Sequence, residues 1–335
     1  MFAITCCAGC HWLRPQEERV FVTTEQTGEV VVVDPRAGKV LQRIPVGKRP
    51  RGLKLAHDGE KLFVALSGSP RSGPQAEDAH PAAADRTADG VGVVDVKQGK
   101  LVGRLPGGQD PETFDLSQDG RALYIANEET AELSRLDLQS RTVTQSVAVG
   151  KQPEGVSAHP SGDVVYVACE EDSVVVAVDV RSGQVRARVP TGQRPRAIAF
   201  SADGHEAFVT NELDATVTVF DTRSHSVLAT IPISDPNAPP QRPMGIVRSN
   251  DGKHLYVSTG RGRAVAELEP QTHKLTRLYR DIGVRPWGIA VSPDGKRLYT
   301  ANGPSNDLTI LELATGQTRR VMIGGSPWGV VSGLQ

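Results

Sequence analysis

The strongest constraint on the fold is a segment that recurs seven times: VFVTTE from Val20, LFVALS from Leu62, LYIANE from Leu123, VYVACE from Val165, AFVTNE from Ala207, LYVSTG from Leu255 and LYTANG from Leu298. Successive starts lie 42, 61, 42, 42, 48 and 43 residues apart. Two further series keep step with it. Asp34, Asp95, Asp137, Asp179, Asp221, Glu269 and Glu312 each end an apolar stretch, and Pro50, Pro111, Pro153, Pro195, Pro243, Pro286 and Pro327 each open one. A unit of about 40 residues with room for four short strands is the signature of a β-propeller blade. Each unit reads as strands A to D. Asp-Gly pairs such as Asp203-Gly204 and Asp294-Gly295 supply the positive φ of the A–B hairpins, and the acidic residue ending strand C is placed to bond the C–D turn.

The first repeated element, at Val20, is a B strand, and the last, from Pro327, is an A strand. Seven blades therefore require the C-terminal A strand to pair with the N-terminal B strand, which removes an open sheet edge. The expectation is an all-β, seven-bladed propeller of four antiparallel strands per blade over residues 20–335, preceded by a leader remnant or disordered segment, 1–19. The 34 Gly and 23 Pro suit short strands and many turns. With 38 basic and 39 acidic residues, the charge balance argues against nucleic acid as a partner. No run of 18 apolar residues suggests a membrane-spanning helix.

The strands FVTN (Phe208 to Asn211) and YVST (Tyr256 to Thr259) resemble those of the YVTN-repeat β-propellers. The stretches KRPRGL, ALSGSP, ADGVGVVD, GQDPETFDLS, STGRG, RPWGIAVSPDG and TANGPSND are most similar to the seven-repeat subgroup associated with pyrroloquinoline quinone (PQQ)-dependent alcohol catabolism. That resemblance covers about Val20 to the C-terminus. It implies an exported, periplasmic accessory protein without enzymatic activity, partnered with a quinoprotein dehydrogenase or a transporter component; the start as written would instead leave it in the cytoplasm. A monomer is expected.

Alternating strand directions put the D–A and B–C turns on one face, here the top. The long spacings place insertions within Ser67–Gly90 and Ile233–Gln241, both on this face, where a rigid scaffold can carry binding loops. The residue after each repeated Pro begins the innermost strand. Around the ring these are Arg51, Glu112, Glu154, Arg196, Met244, Trp287 and Trp328. They sort into an apolar sector, an Arg on each side of it and an acidic pair opposite. One expectation is a mouth that binds a small anionic aromatic ligand, stacked on Trp287 and Trp328 and held by Arg51 and Arg196. Glu25, Glu128, Glu170 and Glu212, at the B-strand ends, bond turn amides or pair with arginines of neighbouring blades.

Catalytic motifs are sparse. His57, His159, His205, His225, His254 and His273 fall on the bottom face, and His80 alone lies in a top insertion. Glu112, Asp115 and Glu154 offer oxygen ligands for a hard cation, but neighbouring arginines argue against one. The main expectation is thus a non-enzymatic binding protein. The alternatives are a lactonase-like hydrolase, which some seven-bladed propellers are, and a scaffold or nucleic-acid-binding propeller. Near the start, Cys7-Ala8-Gly9-Cys10-His11 matches the C-x-x-C-H attachment pattern of haem c. Residues 1–19 are too few to wrap a haem, so no cofactor is expected; the segment reads better as the tail of an export signal.

Overall fold

The computed structural model describes residues 16–70, 83–235 and 240–335. They form seven four-stranded antiparallel sheets. We number the blades by their inner strands: Pro50–Leu55, Pro111–Leu116, Pro153–Ala158, Pro195–Phe200, Pro243–Arg248 and Pro286–Val291 open blades 1 to 6, and Pro327–Leu334 is the inner strand of blade 7. Blade 7 is completed by the chain start. Glu18–Thr24 pairs antiparallel with Pro327–Leu334, with Phe21 opposite Val331 and Val22 opposite Val330. Glu17 and Gln335 exchange backbone hydrogen bonds of 2.8 and 2.9 Å just beyond the strand ends. The sequence-based architecture and its closure hold, with the first strand starting at Glu18 rather than Val20.

The core is divided among the seven blade junctions. Val20, Val22, Val31 and Val33 of blade 7 pack on Tyr299, Leu308 and Ile310 of blade 6, and each of the other junctions has a cluster of the same kind. A middle strand is therefore covered on both faces, which is why its sequence is a continuous apolar run rather than an alternation. Val164–Cys169 is buried throughout, whereas the outer strand Val227–Pro232 alternates less cleanly and leaves Val227 and Leu228 exposed.

Turn chemistry follows the residue series. Gly59, Gly120, Gly204, Gly252 and Gly295 all have φ near +70° in the A–B hairpins. Asp34 Oδ1 accepts from the backbone N–H groups of Arg36 (2.8 Å) and Ala37 (2.9 Å), and Asp221 repeats this with Arg223 and Ser224. These bonds hold the carboxyls of Asp34 and Asp221 below the usual aspartate range. Glu269, one methylene longer, accepts from the Thr272 hydroxyl instead. No helix among the described residues is long and apolar enough to cross a membrane.

Candidate functional site

Each inner strand enters the ring through the same backbone device. The residue before the repeated Pro has a left-handed φ of 40–58°, at Arg49, Asp110, Gln152, Arg194, Arg242, Arg285 and Ser326. None of these is glycine, so the conformation costs on the order of 1 kcal/mol each and is held by its surroundings. Immediately after the Pro the ladder with strand B is interrupted, between Pro50 and Leu53, Pro195 and Ile198, Pro286 and Ile289 and their equivalents. Such a bulge re-aims side chains. It brings the residues on both sides of the Pro, together with the B-strand ends, to one basin of about 680 Å³ at the top of the axis. Ser69, Ala84 and Arg86, from the two described legs of the first top-face insertion, form part of its rim.

Two buried arginines tie the basin walls together. Arg51, 3% exposed, bonds Asp110 Oδ1 at 2.9 Å, pairs with Glu112 and lies 3.5 Å from Glu128. Arg196 pairs with Glu154 (2.9 Å), Glu170 (2.8 Å) and Glu212 (2.6 Å), joining blades 3 and 4. Burial pulls the Arg51 guanidinium below its ordinary pKa, opposed by Asp110 and Glu128. For Arg196 burial acts in the same direction, but Glu154 and Glu212 outweigh it and the net shift is upward. Removing one partner from such a cluster would strand a buried charge, at a cost of about 3–5 kcal/mol.

Next to Arg196, whose guanidinium lies 5.7 Å from the Trp287 ring centre, the lining is aromatic. Trp287 and Trp328 stack with ring centroids 6.0 Å apart and planes 16° from parallel. The Arg285 guanidinium lies 4.5 Å from the Trp287 ring centre, a cation–π contact. Burial lowers its pKa first, with Glu212 opposing and Arg196 adding to the effect. No ion pair reaches Arg285 among the described residues. Glu128, in the same lining beside Arg51, is shifted upward: burial raises its carboxyl above the ordinary glutamate value, Arg51 opposes and Asp110 reinforces.

Of the seven residues singled out from the sequence, Arg51, Glu112, Glu154, Arg196, Trp287 and Trp328 line the basin. Met244 is buried and lines the narrower channel of about 200 Å³ that continues along the axis. Both ring arginines are already engaged by carboxylates, so they do not stand free for an anionic ligand. The suggested oxygen set of Glu112, Asp115 and Glu154 does not come together, because Asp115 pairs with Lys54 (2.9 Å) and accepts from Ala158 N–H (3.0 Å). The carboxylates that do converge are Asp110, Glu112 and Glu128, and the Arg51 guanidinium contacts all three. The C-x-x-C-H segment, Cys7, Cys10 and His11, and also His80, lie outside the described residues. The sequence placed Glu128 at a strand end and Arg285 before a Pro, but their uneven surroundings depend on neighbouring blades.

Residues 182–322 match the family described as lactonase, 7-bladed beta-propeller, and residues 16–186 match the choice-of-anchor I domain. A search of curated proteins returned no match. Among solved structures, the chain is similar to a periplasmic gluconolactonase from Pseudomonas aeruginosa, at 21% identity and TM-score 0.75 over 94% of this chain and 98% of that one. It is also similar to a candidate 6-phosphogluconolactonase from Bacteroides uniformis, at 18% identity and TM-score 0.74 over 96% of this chain and 100% of that one. Kuenenia stuttgartiensis hydrazine synthase aligns at 20% identity and TM-score 0.68, over 84% and 89% of the two chains. At these identities the likeness establishes the fold. The lactonase match over residues 182–322 stands against the expectation of a non-enzymatic accessory protein and favours its lactonase-like alternative. That expectation rested on the family resemblance and on the absence of a catalytic motif, whereas a buried carboxylate of raised pKa can also act as a general base. With the choice-of-anchor match extending over 16–186, just over half of its 335 residues, the chain belongs to the choice-of-anchor I domain family.

Proposed function

We propose that the protein is a lactonase-like hydrolase that opens its substrate in the top-face basin. The observation that carries this reading is that one cavity is lined by a glutamate shifted upward, Glu128, by Arg285, which has no carboxylate partner among the described residues, and by a stacked tryptophan pair. Titratable groups perturbed by burial within one cavity are a frequent mark of a functional site, and burial disfavours the charged form of both Glu128 and Arg285. The lactonase match and the gluconolactonase neighbours support the same chemistry.

In this mechanism the lactone ring lies against Trp287 and Trp328 with its carbonyl towards Arg285. Glu128 takes a proton from water as the water oxygen bonds to the carbonyl carbon. Arg285 donates hydrogen bonds to the oxyanion that develops. Collapse of that intermediate breaks the ring C–O bond, and Glu128 returns its proton to the departing alkoxide. The product is the open hydroxy acid, and the carboxylate side chain is restored. Glu128 is the base in this reading because burial raises its carboxyl above the ordinary glutamate value.

The test is lactone hydrolysis followed by proton release, comparing wild type with Glu128→Gln. Loss of a general base costs about 10²–10⁴-fold, so the variant should fall at least about 100-fold in kcat, measured at a temperature where circular dichroism shows both proteins folded. Equal rates in the two proteins would remove Glu128 from the chemistry.

A further inference from the structure

The basin is rich in acceptors and poor in free donors. Among its described lining residues are seven carboxylates and six guanidiniums. Five of the arginines are committed to carboxylates. Arg49 holds Glu25 at 2.9 Å, Arg86 holds Asp89 at 3.2 Å and also pairs with Glu129, Arg194 pairs with Glu170, and Arg51 and Arg196 sit in the buried clusters described above. Arg196 spends Nε and both terminal nitrogens on Glu154, Glu170 and Glu212. Arg49 directs its remaining terminal nitrogen to the carbonyls of Ser69 and Pro70, at 2.7 and 3.0 Å.

An ionised carboxylate offers about four lone-pair sites and no donor, and one or two arginine contacts do not fill them. The walls therefore retain unused acceptors next to a flat aromatic floor. A phosphate dianion only accepts. To bind here it would have to displace a carboxylate from one of the five paired arginines, at Arg51 or Arg196 leaving an unpaired buried charge, and Arg285 by itself offers a dianion a single guanidinium. Hydroxyl groups, by contrast, can donate to Glu128, Glu129 and Glu170, while a ring C–H face rests on Trp287 and Trp328.

Resting on the hydrolase reading above, we infer that the mouth takes an uncharged, hydroxyl-bearing lactone and discriminates against its phosphorylated counterpart. The commitment of five arginines to carboxylates decides the substrate class, and Arg285 is left for the carbonyl oxygen.

The experiment measures proton release from D-glucono-1,5-lactone and from its 6-phosphate side by side, with spontaneous opening subtracted. Wild-type protein should show a kcat/KM at least about tenfold higher for the unphosphorylated lactone, corresponding to about 1.4 kcal/mol in the transition state. Gluconate should also compete more strongly than 6-phosphogluconate. Comparable values for the two lactones, or a preference for the phosphate, would overturn the inference while leaving the hydrolase reading in place. Hydrolysis of neither would overturn both.

Discussion

Arg51, Arg196 and Arg285 occupy one basin yet differ in what surrounds them, and the proposed chemistry depends on that difference. Arg51 and Arg196 are buried among carboxylates that fix their position and consume their donors. They brace the walls. Arg285, half-buried on the face of Trp287, keeps donors for a substrate oxygen. Arg285→Ala should therefore lower kcat by about 10²–10³-fold, the range seen on removing one oxyanion donor, with little effect on the melting temperature. A kinetic comparison alongside thermal melts checks this; a fall in stability with kcat preserved would make Arg285 structural. The seven residues following the repeated prolines were legible in the sequence, because proline fixes where each inner strand begins. Pairing of the strand-end glutamates with arginines of neighbouring blades was one of two options left open by the sequence, and Arg51 meets Glu128 in this way; its bond to Asp110 was not legible, because the left-handed turn before Pro111 brings that residue in.

The repeated strand B carries a second role that only the assembled elements reveal. Thr210 Oγ1 accepts from Ala197 N–H (3.0 Å) in its own blade and donates to the Met244 carbonyl (2.6 Å) in the next. Ser258 does the same between Gly245 and Trp287, and Thr23 between Gly329 and Arg51. A hydroxyl in the YVTN-like strand thus satisfies the backbone groups freed by the bulge and fixes a mouth residue of the adjacent blade. Thr210→Val keeps the shape but leaves a buried carbonyl and a buried N–H without this partner, and should cost about 1–3 kcal/mol. Denaturant titration reads this directly, and an unchanged midpoint would show that the bulge groups find other partners. The hairpin glycines and turn aspartates could be anticipated from local chemistry alone. Glu269 departs from the aspartate pattern because its longer side chain reaches Thr272.

The whole molecule is held by face-to-face packing of blades and by the join between chain ends. The core is spread over seven junctions, so the ring resists opening only while every neighbour is present. The closing pair is secured by Glu18, which accepts from the Tyr299 hydroxyl (2.6 Å) and pairs with Arg297 (2.6 Å) of blade 6. Deleting residues from Pro327 onward would expose the Glu18–Thr24 edge, remove Trp328 from the basin and uncover the blade 6 core. Such a truncation should aggregate or melt far below the full chain by size-exclusion chromatography and circular dichroism. An equally stable monomer would show that closure contributes little. Closure was legible because the chain starts on a B strand and ends on an A strand. The proposed chemistry was less so, because the burial that shifts Glu128 and Arg285 arises only where the blades meet at one axis.

The most direct test of the proposed mouth chemistry is the pH dependence of lactone hydrolysis by the wild-type protein. Only ionised Glu128 can accept a proton from water. Since burial raises its pKa, activity should be full above that raised value and fall as pH drops through it, at a pH above the ~4.3 of an ordinary glutamate. An acidic limb above ~4.3 that disappears in Glu128→Gln is the predicted result. A catalysed rate whose acidic limb is identical in the two proteins, or no catalysed rate at any pH, would contradict it.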